Sequence, residues 1–283
     1  MTPTLQQQQA ESWFRDLRHR IIVALEVLED EYAAEKGGDT ARFEIKPWAR
    51  EDISGQPGGG EMGLIRGQLF EKGGVNVSTV WGEFSEEFRK NIPGAMDNGG
   101  QFWASGISLV IHPRNPFVPP VHMNTRHIVT SKSWFGGGAD LNPIYPNDDD
   151  TAFFHAELKK CCDEFGADYY ERFSKWAEEY FWNKHRNEPR GVGGIFYDYL
   201  EDDWAHNFAF TKAVGESFLR VYPAIVRSHM FDAYDDTHKA HQLHRRGRYA
   251  EFNLLHDRGT VFGLKTGGNP EAILMSLPPL VSW

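Results

Sequence analysis

Cysteine is nearly missing from this chain: of 283 residues only Cys161 and Cys162 are cysteines. Sequence neighbours bridge only with strain, so no disulfide framework is expected and a reducing compartment fits, the cytoplasm by default. Long apolar runs are missing as well. No stretch nears the roughly 20 residues that a membrane-spanning helix needs, and the Gln-rich residues 1–10 contain no basic segment leading into an apolar one. Neither secretion nor membrane insertion is expected. Positive charge is in deficit, with 30 Lys and Arg against 40 Asp and Glu for a formal net charge of −10. That is the wrong sign for a general binder of nucleic acid or anionic lipid, so an anionic ligand must meet a local basic pocket.

What is present suffices for a folded globule: 40% of the residues are hydrophobic and 14% aromatic, enough apolar surface to offset the entropy of ordering. Phe14, Leu17, Ile21, Leu25, Leu28 and Tyr32 recur at steps of three or four and predict a long N-terminal helix. Further helices are expected over 151–164, 168–185 and 208–230, and strands over 69–80, 105–112, 121–130 and 192–198. Phe43-Glu44-Ile45 alternates like a short strand, whereas Gln56-Pro57-Gly58-Gly59-Gly60 reads as loop. Three closing strands are expected over 249–255, 260–264 and 272–277, with apolar residues on both faces. One face would serve the subunit's own core and the other a partner subunit. Connections between neighbouring strands are too short for parallel crossovers and no internal repeat divides the chain. The expected architecture is therefore a single α+β domain over residues 1–283 with a largely antiparallel sheet.

The chemically dense stretch runs from Ser108 to Asp140. A strand over 121–130 has a side-chain period of two, which puts His122, Asn124 and Arg126 on one face and Met123, Thr125 and His127 on the other. On the preceding strand Ser108 and His112 share a face. Alternating polar residues commonly mean only a solvated sheet face. The following Trp134-Phe135-Gly136-Gly137-Gly138-Ala139-Asp140 argues for more, since three glycines permit close backbone approach and two large aromatics anchor the segment in the core or line a pocket. It is not a P-loop, because the Lys-Ser/Thr ending is lacking.

Among twelve histidines, His112, His122, His155 and His185 form the plausible metal set, although no His-Glu-x-x-His or Cys-x-x-Cys spacing supports it. His244-Arg245-Arg246-Gly247-Arg248-Tyr249 is the densest positive run, open to RNA, phosphate or a polycarboxylate unless it is a solvated face. A metal hydrolase and an RNA-binding module are thus rival readings, and neither accounts for three glycines followed by Asp140.

Taken together, these residues resemble the oxygen-dependent coproporphyrinogen III oxidases. The likeness spans nearly the whole chain through Phe70-Glu71-Lys72-Gly73-Gly74-Val75-Asn76, His122-Met123-Asn124-Thr125-Arg126, Trp134 to Leu141, Arg190-Gly191-Val192-Gly193-Gly194-Ile195-Phe196, Arg245 to Leu255 and Ile273-Leu274-Met275-Ser276-Leu277-Pro278. The resemblance implies a homodimer whose subunits are large antiparallel sheets flanked by helices on both faces. It implies oxidation of two propionates of coproporphyrinogen III to vinyl groups by molecular oxygen as co-substrate, with no organic cofactor, giving protoporphyrinogen IX. Carried over by position, His122, Asp140 and Arg126 would be catalytic, with His122 as proton donor, Asp140 as acceptor for pyrrole N–H groups and Arg126 on a propionate. Ser108, Asn124, Arg126 and the Gly267-Gly268-Asn269 turn would contact substrate, and a divalent metal would sit, if anywhere, on His112, His122, His155 and His185. This chain departs from many relatives at Asn269, where they have Arg, at Tyr199, where they have Asp, and in extending no further than Trp283.

Overall fold

The structure, a computed structural model, describes every residue except Met1 and Thr266. Helix α1 (Leu5–Lys36) begins within the Gln tract because Thr4 and Gln7 close a capping box, each side chain bonding the other's backbone N–H. Then come β1 (Glu44–Ala49), a short α2 (Glu51–Ser54), β2 (Gly58–Ile65), β3 (Phe70–Glu83), α3 (Glu86–Arg89), β4 (Gln101–Pro113), β5 (Val121–Val129) and β6 (Ser133–Leu141). Helices α4 (Asp148–Asp163) and α5 (Tyr169–Tyr180) precede a two-stranded hairpin, β7 (Trp182–Asn183) and β8 (Glu188–Pro189). Strand β9 (Gly194–Leu200) and helices α6 (Trp204–His229), α7 (Asp236–Leu255), α8 (Arg258–Lys265) and α9 (Pro270–Leu274) complete the chain.

One seven-stranded sheet, ordered β1-β2-β3-β4-β5-β6-β9 and antiparallel throughout, carries the fold. The expected α+β architecture with helices on both faces is what forms. On one face Val75, Val77, Ile107, Leu109, Met123, Ala139 and Tyr197 join the apolar stripes of α1, α4 and α6 in the main core. Each such fully buried Val, Leu, Ile or Met side chain contributes about 1.5–3 kcal/mol. Over the other face lie the C-terminal segments: Lys72 Nζ and His112 Nε2 bond the carbonyls of Leu277 and Ser276, and Asn76 Nδ2 bonds that of Ala272. Helix α5 closes the β9 edge through Phe173 against Tyr197 and Trp176 against Phe196.

Two expectations are corrected here. The expected strands over 249–255 and 260–264 lie in helices α7 and α8, and the one over 272–277 is the end of α9 followed by turn. Short apolar runs satisfy both periods, and residues 236–248 had already committed α7 to helix through an Asp235 cap. With the strands goes the argument that their second face requires a partner subunit. The glycine run 58–60, read as loop, is strand. Gly58–Ile65 contains a Gly-x-Gly-x-x-Gly spacing, yet it pairs on both sides within the sheet instead of turning into a helix, so no dinucleotide turn arises. A Cβ on Gly59 or Gly60 would fall 2.3 Å from the carbonyl oxygen of Trp48 or Val77, which explains glycine in a strand there.

Candidate active site

Register assembles the site. Strand β5 runs between β4 and β6 so that Val110, His122 and Asp140 form one row, Ser108, Asn124 and Gly138 the next, and Gly106, Arg126 and Gly136 a third. His122, Asn124 and Arg126 do share the face away from the main core, while Met123, Thr125 and His127 are buried on the other. Glycines on both sides leave bare backbone around the polar side chains. A Cβ on Gly106 would lie 3.1 Å from that of Arg126, and one on Gly138 would lie 2.5 Å from the Ile195 carbonyl oxygen. The glycine triplet is therefore the floor of a groove and keeps β9 close, in keeping with the close backbone approach that three glycines permit.

At one end of the groove Asp140 is sealed, 1% exposed. Its Oδ1 meets His122 Nδ1 at 2.8 Å and Arg190 Nη2 at 2.6 Å, and its Oδ2 accepts from Arg190 Nε at 3.0 Å and Asn142 Nδ2 at 2.9 Å. Burial pushes this carboxyl up, but the Arg190 charge and the His122 bond more than offset that and hold it below its ordinary value. An ionised carboxylate only accepts, so His122 donates through Nδ1 and Nε2 is the ring nitrogen not committed to Asp140. Arg190 is enclosed by Phe181, Tyr249 and Phe252, with its Cζ 4.3, 5.0 and 4.6 Å from their ring centroids, and Nη1 donates to Asn253. Arg190 and Asn142 were not singled out from the sequence as site residues. The contacts of Arg190 to Asp140 and to α7 span 50 and 63 residues, and no local pattern announces them.

At the other end Arg126 is half open. Its Nη2 donates to Asp198 Oδ2 at 2.6 Å, with side-chain exposures of 26% and 15%, and Phe196 lies beneath it. Between the ends Asn124 Oδ1 has no protein partner among the described residues, and Ser108 is exposed one strand over. The Gly267-Gly268-Asn269 turn is set apart from this trio. Gly267 sits against Ser54, and Asn269 Oδ1 is spent capping α9 by accepting from the Glu271 N–H.

The proposed metal set does not come together. His112 Nε2 donates to the Ser276 carbonyl, and burial pushes that imidazole down to about 3, which keeps it neutral. His155 uses Nδ1 on Tyr170 and Nε2 on the Val192 carbonyl, and His185 uses its two nitrogens on His256 and Glu251. Among the described residues no three His, Cys, Asp or Glu side chains converge as a ligand set, so these four histidines do not fit a shared ion. The basic run 244–249 lies on α7 and is largely committed internally. Arg246 is buried on Glu71, and Arg245 and Arg248 share Glu188.

An imidazole oriented by a buried carboxylate, and an arginine four residues along the same strand face, form a candidate enzyme site. The chain belongs to the coproporphyrinogen III oxidase family, whose sequence profile matches residues 9–283. Relatives named oxygen-dependent coproporphyrinogen-III oxidase include one from Rickettsia bellii, 54% identical over 273 residues and 96% of each chain. Another, from Rickettsia felis, is 55% identical over 275 residues and 97% of each chain. A third, from Rickettsia africae, is 54% identical over 96% of each chain.

Proposed function

We propose that this chain catalyses the oxygen-dependent oxidative decarboxylation of two propionates of coproporphyrinogen III to vinyl groups, yielding protoporphyrinogen IX on the route to haem. The observation that carries the reading is the row of His122, Asn124 and Arg126 along a glycine-floored groove, in a chain alike to oxidases of that name over nearly its full length. A porphyrinogen is a flexible apolar macrocycle bearing four carboxylates, so it needs a planar cation, aromatic walls and hydrogen-bonding groups together. Arg126 takes a propionate through its free N–H edges, Asn124 and Ser108 meet polar edges of the macrocycle, and Phe181 and Phe196 wall the groove. His122 Nε2 gives or takes the proton. Asp140 acts through His122, whose tautomer it sets and whose cation it stabilises, and its contact to a pyrrole N–H would require one of its present partners to yield.

Each propionate loses carbon dioxide and two electrons as it becomes a vinyl group. Dioxygen takes those electrons together with two protons, one from the substrate side chain and one from outside it, which is the proton we assign to His122. The Gly267-Gly268-Asn269 turn leads into the segment whose Ala272 carbonyl meets Asn76, the neighbour of Ser108, so its substrate contacts would come from the helical side of the groove. We further propose a homodimer of single-domain subunits in the cytoplasm. Exposed Leu254, Leu255, Val261 and Leu264 on α7 and α8 support a subunit contact, and two unpaired cysteines support a reducing compartment. Turnover of coproporphyrinogen III by purified protein, in air and in an anaerobic chamber, tests the activity, and equal rates in both would refute it. Light scattering that gives the 32.3 kDa mass of one chain would refute the dimer.

A further inference from the structure

Strand β9 does not run regularly past the groove. Gly137 pairs with Tyr197 and Phe135 with Leu200, so three residues of β9 span two of β6, which is a β-bulge at Asp198 and Tyr199 opposite Gly136. In a regular strand Tyr199 would follow Tyr197 toward the main core and Leu200 would face the groove. The bulge instead returns Leu200 to the core and leaves Tyr199 46% exposed at φ +56°, a left-handed conformation that an aromatic residue rarely adopts. Such a conformation persists only where its surroundings enforce it, and here it serves the carboxylate beside it. The Tyr199 N–H donates to Asp198 Oδ1 at 3.1 Å, while Asp198 Oδ2 accepts from Arg126 Nη2 at 2.6 Å. Gly136 makes room for the pair: a Cβ there would lie 2.3 Å from Asp198 Oδ1 and 3.0 Å from Arg126 Nη2.

We propose that Asp198, seated beside the β9 bulge in the space left by Gly136, is a positioning residue that holds the Arg126 guanidinium so that its remaining N–H groups face the substrate carboxylate. Among the described residues Asp198 is the one hydrogen-bond partner of that guanidinium, so without it no protein hydrogen bond sets the fork's orientation and binding must. The inference rests on the reading that Arg126 meets a carboxylate. Steady-state kinetics on coproporphyrinogen III with Asp198→Asn, Gly136→Ala, Arg126→Ala and the Asp198→Asn/Arg126→Ala double variant test it, with near-UV circular dichroism as the check on folding. Asp198→Asn and Gly136→Ala should each raise KM about tenfold with a smaller change in kcat, the scale of one charge-assisted hydrogen bond. The double variant should be no worse than Arg126→Ala alone. If Asp198→Asn and Gly136→Ala keep the native KM while Arg126→Ala loses it, the positioning role is wrong and the Arg126 reading stands. If Arg126→Ala itself keeps the native KM, the Arg126 reading fails and takes this one with it. Fully additive losses in the double variant would also overturn the proposal, because Asp198 would then act independently of Arg126.

Discussion

Strand β5 carries the same chemistry at its two ends in opposite settings. Near His122, Asp140 and Arg190 pair at 1% and 2% side-chain exposure, with both carboxylate oxygens and the guanidinium walled in by protein. Near Arg126, the pair with Asp198 is 26% and 15% exposed and bound through a single short bond. A sealed pair trades partners with a ligand only at high cost, which suits it to hold a fixed field against His122. An open pair costs little to rearrange, so its arginine can share itself with an incoming carboxylate. On the function proposed above, preorganisation and recognition would be divided between the ends of one strand.

Removing one charge from the sealed end should have the largest effect. Asp140→Asn leaves Arg190 buried without its counter-charge, which should cost roughly 3–5 kcal/mol in urea unfolding. The same change should lower turnover about a hundredfold or more through loss of the oriented imidazole. A variant as stable and as active as the native chain would erase the distinction between the two ends.

Acid should discriminate between the ends next. The folded pKa of His112 is lowered to about 3 by burial, below an ordinary 6.5, so the unfolded chain takes up its proton first. The stability this neutral imidazole represents is whole above about 6.5 and is lost as pH falls toward 3. Asp140, also lowered, adds a further loss below its ordinary value of 3.8. The urea midpoint should therefore drop between pH 7 and pH 4, and His112→Gln should flatten that drop. An unchanged slope in the variant would place the titration elsewhere.

Smaller still is the effect expected of the groove floor. Gly138→Ala drives a Cβ into the Ile195 carbonyl, a backbone atom that cannot swing aside, and should cost about 1–3 kcal/mol. A neutral result in thermal melts would mean that β9 shifts freely against β6. Smallest in stability is Arg126→Lys at the open end, roughly 1 kcal/mol or less, and its consequence should appear as a raised KM, since a point charge replaces a planar fork. A lysine enzyme with the native KM would reduce the role of Arg126 to bare charge.

Strand β5 was legible because its alternation of Met123, Thr125 and His127 with His122, Asn124 and Arg126 reports directly which face is buried. Helix α1 was legible for the same reason at the other period. The glycine triplet was not, because glycine's local preference is for turns, and what selects it at Gly136 and Gly138 is crowding from Asp198, Arg126 and Ile195, residues near only after folding. The C-terminal helices were misread because Phe252, Leu254 and Leu255 satisfy either period over so short a run. Four histidines that looked like a ligand set were separated by their own partners, as Ser276, Asp140, Tyr170 and His256 each took one.

By itself, then, the sequence determined an antiparallel α+β protein, the polar face of one strand and, through motifs spread along the chain, its family. Those properties are written in periodicity and residue order, which need no knowledge of distant neighbours. Only the tertiary structure decided that Asp140 is locked by Arg190 and Asn142, that Asp198 reaches Arg126 over a bulge, and that the glycines are a floor. These are contacts between residues as many as 72 positions apart, and their energies depend on burial, which exists only once the sheet has closed under its helices.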